Sequence, residues 1–581
     1  MLALALGAAT PARGQTAWTG TTSTDWFVAG NWSAGVPTGG VNTTIDTITP
    51  NPTVVGAAGA QASTLFVGFS DTGNLTIQNG GTLTAGAIDI GTLTFSTGTV
   101  TVSNGGTVNG STTQVGGLSS NANSVTVDGV GSTWTNSDFF MVGGFRRGAL
   151  TITNGGAVSN VAGFIGQQGT AIGTVIVDGA GSTWTNSDIL TVGTTGSGTL
   201  TIRNGGVVSA TDVIFGRFGG SGTLNIGAAS GQAAAAPGTL TAPTVSVGTG
   251  TGIIVFNHTS SNYTFAPAIS GAAVTVEAGT TILTAANTYG GATTINGGTL
   301  TVNGSIVNSA VTVNTGGTLG GTGTVGATQV NAGGTFAPGN GTANSSLNVA
   351  GSLSFQAASI YLVQVNPATA SFVNVAGTAT LGGATVNATF APGSYVSKQY
   401  TIAAASGAVS GTFDPTVVNT NLPSNFHTTL SYDPTRAYLN LALNFGIPGG
   451  LNGNQQGVGN ALTNFFNTTG GIPMAFGSLT PTGLSQASGE AATGNQQTTF
   501  NAMNQFLGVL TDPFAGGRGD AAGGGTTAFA AESDAANAYT AGRQRSPAER
   551  DAYAMFSKAP PRTGNDPRWS VWASGFGGSQ T

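Results

Sequence analysis

The sequence predicts an all-β solenoid of stacked, parallel coils, and three observations point to it. An Asn-Gly-Gly turn closes a short alternating strand four times, in residues 75–81, 100–106, 150–156 and 200–206, with Asn79, Asn104, Asn154 and Asn204 spaced 25, 50 and 50 residues apart. A fixed period of that size marks repeats too small to bury a core alone, so each must stack on its neighbour. Charged residues make up only 6% of the 581, where an ordinary domain carries about 25%. Gly supplies 97 positions, and Thr, Asn, Ser, Ala and Val fill most of the rest. No run of about 18 apolar residues follows the N-terminus, which sets membrane helices aside; the abundance of β-branched residues sets disorder aside. What remains is regular β structure solvated by hydroxyls and amides.

A net charge of −6 offers no basic face to nucleic acid. Cysteine is absent, which removes thiolate metal sites and thiol nucleophiles. Two explanations of that absence fit equally. Disulfides would obstruct a chain that crosses a narrow pore unfolded, and a long solenoid has core enough without such staples.

In chain order, residues 1–14 read as a signal peptide remnant: Leu2, Leu4 and Leu6 precede the small-residue pattern Ala12-Arg13-Gly14, without a basic leader. Residues 15–50 hold Trp18, Trp26 and Trp32, three of the seven tryptophans. A terminal coil needs a cover over its open apolar end, and stacked indoles supply one; a sugar-binding aromatic platform is the functional alternative. Residues 51–330 are the coil repeats. Within them residues 125–138 recur at 175–188, each copy a strand, an Asp-Gly turn (Asp128-Gly129, Asp178-Gly179) and a second strand through Trp134 or Trp184. One Asp-Gly per coil reads as turn chemistry, because a calcium-binding coil needs a denser run of Gly and Asp. The doubled glycine of Asn-Gly-Gly reads as positive φ at a corner, with no Cβ to clash with the adjacent coil. Residues 331–445 are the C-terminal coils. At roughly 20–25 residues per coil, the shaft is expected to hold about 16–20 coils and to run about 80–95 Å.

From 446 the pattern changes. Residues 446–565 read as a linker with helical segments: Phe500, Met503, Phe506, Leu507 and Leu510 fall at helical spacing, a Gly-rich loop spans 516–525, and a helix starts near Ser546-Pro547. Residues 566–581 alternate through Trp569, Val571 and Trp572 to Phe576, like one membrane-barrel strand with its aromatic girdle.

In this order the segments resemble a bacterial autotransporter of the single-chain type. Residues 286–300, with Asn287, Tyr289-Gly290-Gly291 and Asn296-Gly297-Gly298, look like the passenger-associated transport repeat of that family. Gly333 through Ala337-Pro338-Gly339, then Tyr400-Thr401-Ile402, Gly411-Thr412-Phe413, Leu422-Pro423 and Leu439-Asn440-Leu441, look like its passenger end. Leu484-Ser485 with Gly489-Glu490, and residues 569–578, resemble the linker and first strand of its translocating barrel. The resemblance implies a right-handed parallel β-helix passenger whose C-terminal coils act like an autochaperone, followed by a partly helical linker and a β-barrel. It further implies an outer-membrane or cell-surface location and dealings with the outer membrane and barrel assembly machinery. The family's barrel has about a dozen strands; only the first is written here. One open strand edge cannot exist in lipid, so this chain as it stands is not expected to translocate itself.

Catalytic chemistry is not expected, and no catalytic, cofactor-binding or metal residue is assigned. The two imidazoles, His258 and His427, have no carboxylate immediately beside them in sequence and read as ordinary coil or surface residues. The nearest approach to a nucleophile elbow, residues 68–73 around Ser70, places its second glycine one position late. Glycine runs lack the lysine of a phosphate loop, and Gly196-Ser197-Gly198 reads as a coil turn. Arg518-Gly519-Asp520 is an integrin-type tripeptide of a kind that arises by chance. The expected function is a structural or adhesive rod binding host or neighbouring-cell ligands, with no enzyme activity and no nucleic acid. The alternative is an enzyme passenger, a glycan lyase or esterase, whose insertion would lie in residues 228–270.

Overall fold

A computed structural model describes residues 14–396, 398–446 and 450–511. They fall into two compact units divided after Pro481, of which the first holds the solenoid. The signal remnant before Gly14, the Arg-Gly-Asp triplet, the helix start near Ser546 and the barrel strand lie outside the described residues.

The spine of the first unit is a sheet of sixteen strands from Thr53–Val55 to Ala408–Ser410, each parallel to its neighbours. Sixteen strands at about 4.8 Å per step extend about 70 Å. Leu75, Val100, Val125, Leu150, Val175 and Leu200 stand beside one another at a constant 25-residue step. The 50-residue gaps between Asn-Gly-Gly turns are thus filled by a second kind of coil, the one that turns at Asp128-Gly129 and Asp178-Gly179. From Asn104 to Asn204 the two coil types alternate on one unbroken period. Later coils shorten to a 17-residue step between Val311 and Thr328, then lengthen to 30 between Ala379 and Val409.

The other faces change along the chain. Long strands Ala60–Val67, Thr82–Ile90 and Thr107–Val115 make a second wall, and Thr107–Val115 then pairs with both Thr133–Asn136 and Phe139–Val142. From there that wall runs as two limbs. Beyond Tyr263 an eight-stranded and a seven-stranded sheet replace it. The parallel coils stop after Val418–Thr420; Phe426–Asp433 and Arg436–Leu443 form an antiparallel hairpin that pairs onto Gln399–Ala405. Inside, alternate residues form dry columns, and Leu75 through Leu200 and on to Leu224 and Ile254 are all buried. Each such side chain contributes about 1.5–3 kcal/mol of transfer free energy.

The Asn-Gly-Gly corner divides its work differently from the expectation. Positive φ falls on Asn and the first Gly, as at Asn104 (50°) and Gly105 (76°). Gly106 needs its missing Cβ for another reason: that atom would stand 2.4 Å from the Ile77 carbonyl oxygen of the preceding coil. The same holds for Gly81, Gly156 and Gly206 against Val55, Val127 and Val177.

The tryptophans of residues 15–50 are buried, with Trp32 edge-on to both Trp18 (4.9 Å) and Trp26 (4.7 Å) rather than stacked. Trp18 Nε1 donates to the Asn51 carbonyl at 2.8 Å and Trp32 Nε1 to that of Trp26 at 2.7 Å. Buried faces leave no platform for a pyranose ring. At the other end, helix α1 (Gly453–Thr469) starts on an Asn452/Gln455 capping box, and its buried Phe466 packs on Phe426 of the hairpin at 5.0 Å. Lys398 Nζ donates to the carbonyls of Asn467 (2.7 Å) and Thr468 (3.0 Å), closing the helix end. The first unit therefore reaches past 445 and includes α1, where composition alone reads as linker. In the second unit, helix α2 (Glu490–Thr511) carries Phe500, Met503, Phe506 and Leu507 at the expected helical spacing.

Candidate functional site

The solenoid brings together residues that the sequence keeps a period apart. Asn154 Nδ2 donates to Asp128 Oδ1 at 2.7 Å, and Asn204 Nδ2 to Asp178 Oδ1 at 2.7 Å. Arg203 adds Nε and Nη2 contacts to Asp178 Oδ2 at 2.9 and 2.8 Å. The aspartates thus do more than turn the chain: their oxygens tie each Asp-Gly corner to the Asn-Gly-Gly corner of the next coil. Being partly exposed, each such tie is worth about 1 kcal/mol or less. Among the described residues no group of three or more His, Asp or Glu side chains gathers as a metal site would.

Of the two expected settings, coil or surface, His258 takes the first, inside the coil stack. It is fully buried, in ring contact with Tyr263 (5.1 Å) and Phe256 (6.5 Å), and its Nε2 meets the Thr281 hydroxyl at 2.9 Å. Burial holds its pKa below the ordinary 6.5. Its hydrogen-bonded partner is a threonine, and a neutral buried imidazole with that partner has no carboxylate orienting it. His427 sits exposed on the terminal hairpin, opposite Ala442. Ser70 Oγ donates to Asp46 Oδ2 at 2.8 Å, while the Ser70 backbone N–H reaches the same carboxylate at 3.1 Å; the pair is a capped loop, with no imidazole in it. Ser197 takes a hydrogen bond from Ser221 Oγ one coil later, at 3.0 Å.

Of the stretch 228–270, only residues 228–238 form an irregular loop folded back on the shaft; the rest supplies coil strands, Thr251–Asn257 of the sixteen-stranded sheet among them. Asn257 Nδ2 donates to the carbonyls of Ala229 (3.0 Å) and Gln232 (2.8 Å), and the Gly231 N–H reaches Glu277 Oε2 at 3.1 Å. Sequence reasoning missed these clamps, because their partners lie between 25 and 46 residues apart.

Asp89, on the outer side of the second wall between Phe66 and Gln114, was also missed. Burial pushes its carboxyl from the ordinary 3.8 up to about 6. Its folded form holds a proton that the unfolded chain has already released, so stability is fully present below 3.8 and falls as pH rises through about 6. Asp89→Asn is expected to gain about 2 kcal/mol at pH 7 and nothing at pH 3. Denaturant midpoints of both proteins at the two pH values check it; equal midpoints at pH 7 would contradict it.

Residues 273–302 show how neighbouring coils are locked. Asn287 Oδ1 accepts from the Ile269 N–H at 2.9 Å, and its Nδ2 donates to the carbonyls of Ala285 (3.0 Å) and Ser305 (3.1 Å). The buried Tyr289 hydroxyl meets Thr293 Oγ1 at 2.9 Å, which meets Ser309 Oγ at 2.8 Å. One Asn and one Tyr thereby staple three successive coils. The coils stapled in this way build a right-handed parallel β-helix. A family model described as the passenger-associated-transport-repeat matches residues 277–302. That repeat is characteristic of autotransporter passengers, so the chain has both the fold and the transport repeat of that class, whose members reach the cell surface or the exterior through the outer membrane. No curated protein matches the chain.

Proposed function

We propose that this passenger is an adhesive scaffold at the bacterial surface, making many weak contacts with host or neighbouring cells, and that it is not an enzyme. One observation carries the reading. Thr76, Thr101, Thr126 and Thr151 stand in one outward column of the sixteen-stranded sheet, and Thr275, Thr294 and Thr312 resume it beyond a covered stretch in which Thr201, Asn225 and Val255 are buried. Ile176 ends the first run. Within each of the two runs, Thr76 to Thr151 and Thr275 to Thr312, hydroxyls of one kind recur about every 4.8 Å along the axis. No single one binds strongly, but engagement of many raises avidity steeply. The sealed His258 and the solitary His427 favour a scaffold over an enzyme passenger.

Removing residues 129–178 deletes two coils in register and rejoins Asp128 to Gly179. Cells displaying this variant are expected to attach about tenfold less well while the protein keeps its β circular dichroism. Unchanged attachment would sink the repeated-face reading. Ester or glycan cleavage that disappears in His258→Ala or His427→Ala would establish the enzyme alternative.

A further inference from the structure

Two concavities on the outer face of the seven-stranded sheet meet at Arg436. One, of about 400 Å³, is lined by Asn348, Asn374, Ser406 and Thr435; the other, of about 350 Å³, by Phe372 and Thr401. Ala404 and Arg436 belong to both. Each lies within the size range of small-ligand sites. The shared position follows from register: Asn348, Asn374, Ala404 and Arg436 form one outward row across four strands.

Arg436 is exposed, and no hydrogen bond or ion pair engages its guanidinium among the described residues. Arg146 and Arg147 are likewise exposed with no ion pair among the described residues, but Arg436 lines both concavities; the remaining described cations are engaged. Arg203 is paired with Asp178, Lys398 closes α1, and Arg217 lies over Phe218 at 5.2 Å. The carboxylate nearest Arg436 in sequence is Asp433, its direct partner across the hairpin. Asp433 is instead committed elsewhere: the Tyr438 hydroxyl donates to Oδ2 at 2.6 Å, and the Thr435 N–H and Oγ1 donate to Oδ1 at 2.7 and 3.0 Å. The fork of donors is therefore left open beside the groove. Asn374 Nδ2 donates to Asn348 Oδ1 at 3.0 Å, which fixes the amide and leaves Asn374 Oδ1 as an acceptor.

We propose that this groove binds an acidic oligosaccharide, with a sugar carboxylate on Arg436, a neighbouring hydroxyl on Asn374 Oδ1, and the next ring against Phe372. A planar fork matches a carboxylate in two hydrogen bonds. A fixed amide acceptor lining the same concavity, across Ala404, asks for a hydroxyl near that carboxylate, which uronic and sialic acids carry and an acidic peptide side chain does not. Two concavities in line suit consecutive sugars. The site is separate from the threonine column, and the proposal does not rest on the adhesive reading.

Titration calorimetry of the purified full chain tests it. The probes are hexasaccharides of hyaluronan, galacturonate and polysialic acid, with chitohexaose as the neutral reference and hexaglutamate as the acidic peptide. At least one acidic sugar is expected to bind with an affinity that weakens as salt rises. Arg436→Gln should lose about tenfold or more, Asn374→Ala a few-fold, and Arg436→Lys less than Arg436→Gln. Ala404→Trp, which fills the junction, should abolish binding even if an Arg436 variant fails to fold. Binding of chitohexaose or hexaglutamate as tight as that of the acidic sugars would overturn the proposal. So would no binding of any acidic sugar, or full binding by Ala404→Trp.

Discussion

Gly106→Ala is expected to cost about 3 kcal/mol or more, at the upper end of what overpacking costs, while its neighbour Gly105→Ala costs about 1–2 kcal/mol. The two glycines are adjacent in one turn, yet they are constrained by different physics. Gly105 has φ of 76° and open space around the position of a Cβ. Alanine there suffers only its own backbone strain. At Gly106 the new methyl would stand 2.4 Å from the Ile77 oxygen and 2.8 Å from its carbonyl carbon. Those are backbone atoms, and they cannot rotate away as a side chain would. Strand Thr97–Ser103 is laddered to coils on both sides, so opening the gap means breaking register with at least one of them. Hydrogen exchange of residues 97–103 in the full chain, with and without urea, reads both variants locally. Equal loss of protection in the two, or greater loss in Gly105→Ala, would refute the division of roles.

That corner also shows what was legible in the sequence and what was not. The period, the low charge and the alternating strands announce stacked coils, because each depends on residues near one another in sequence. The Asn-Gly-Gly spacing conceals two of the six coils from Asn79 to Asn204, since Asp128-Gly129 and Asp178-Gly179 serve the same corner with different residues. Which glycine touches the previous coil is set by atoms about 29 residues earlier, as Gly106 against Ile77 shows. Sequence leaves His258 as either a coil or a surface residue; the rings of Phe256 and Tyr263, brought to it by the fold, bury it. Helix α1 is rich in Asn, Gln and Gly, which are poor or indifferent helix formers. Its start is fixed by the Asn452/Gln455 capping box, and its stability comes from packing on a hairpin that composition does not reveal. Arg436 illustrates the same limit: an exposed cation in sequence, it gains meaning only because register lays it in one row with Asn374, across Ala404.

Asn160→Ala is expected to destabilise the central coils by about 3–5 kcal/mol, although asparagine is among the most surface-loving residues. The side chain is 5% exposed at the bend between the two limbs of the second wall. Its Oδ1 accepts from Trp184 Nε1 at 2.7 Å, and its Nδ2 donates to Asn186 Oδ1 at 2.7 Å. Asn186 in turn donates to the Ser209 carbonyl at 3.2 Å, so three coils are tied through one chain of amides. Removing Asn160 leaves an indole N–H and an amide oxygen buried without partners, each costing about 1–3 kcal/mol. Trp184→Phe strands only one group, Asn160 Oδ1, and opens a small void, for a cost of about 2–3 kcal/mol. The double variant should then cost less than the sum, by about 1–2 kcal/mol, because without the indole one of the two orphans left by Asn160→Ala no longer exists. Denaturant midpoints of the four proteins close the cycle. Strict additivity would mean that the Trp184–Asn160 hydrogen bond contributes nothing, and the coils would then be held at this bend by apolar packing alone.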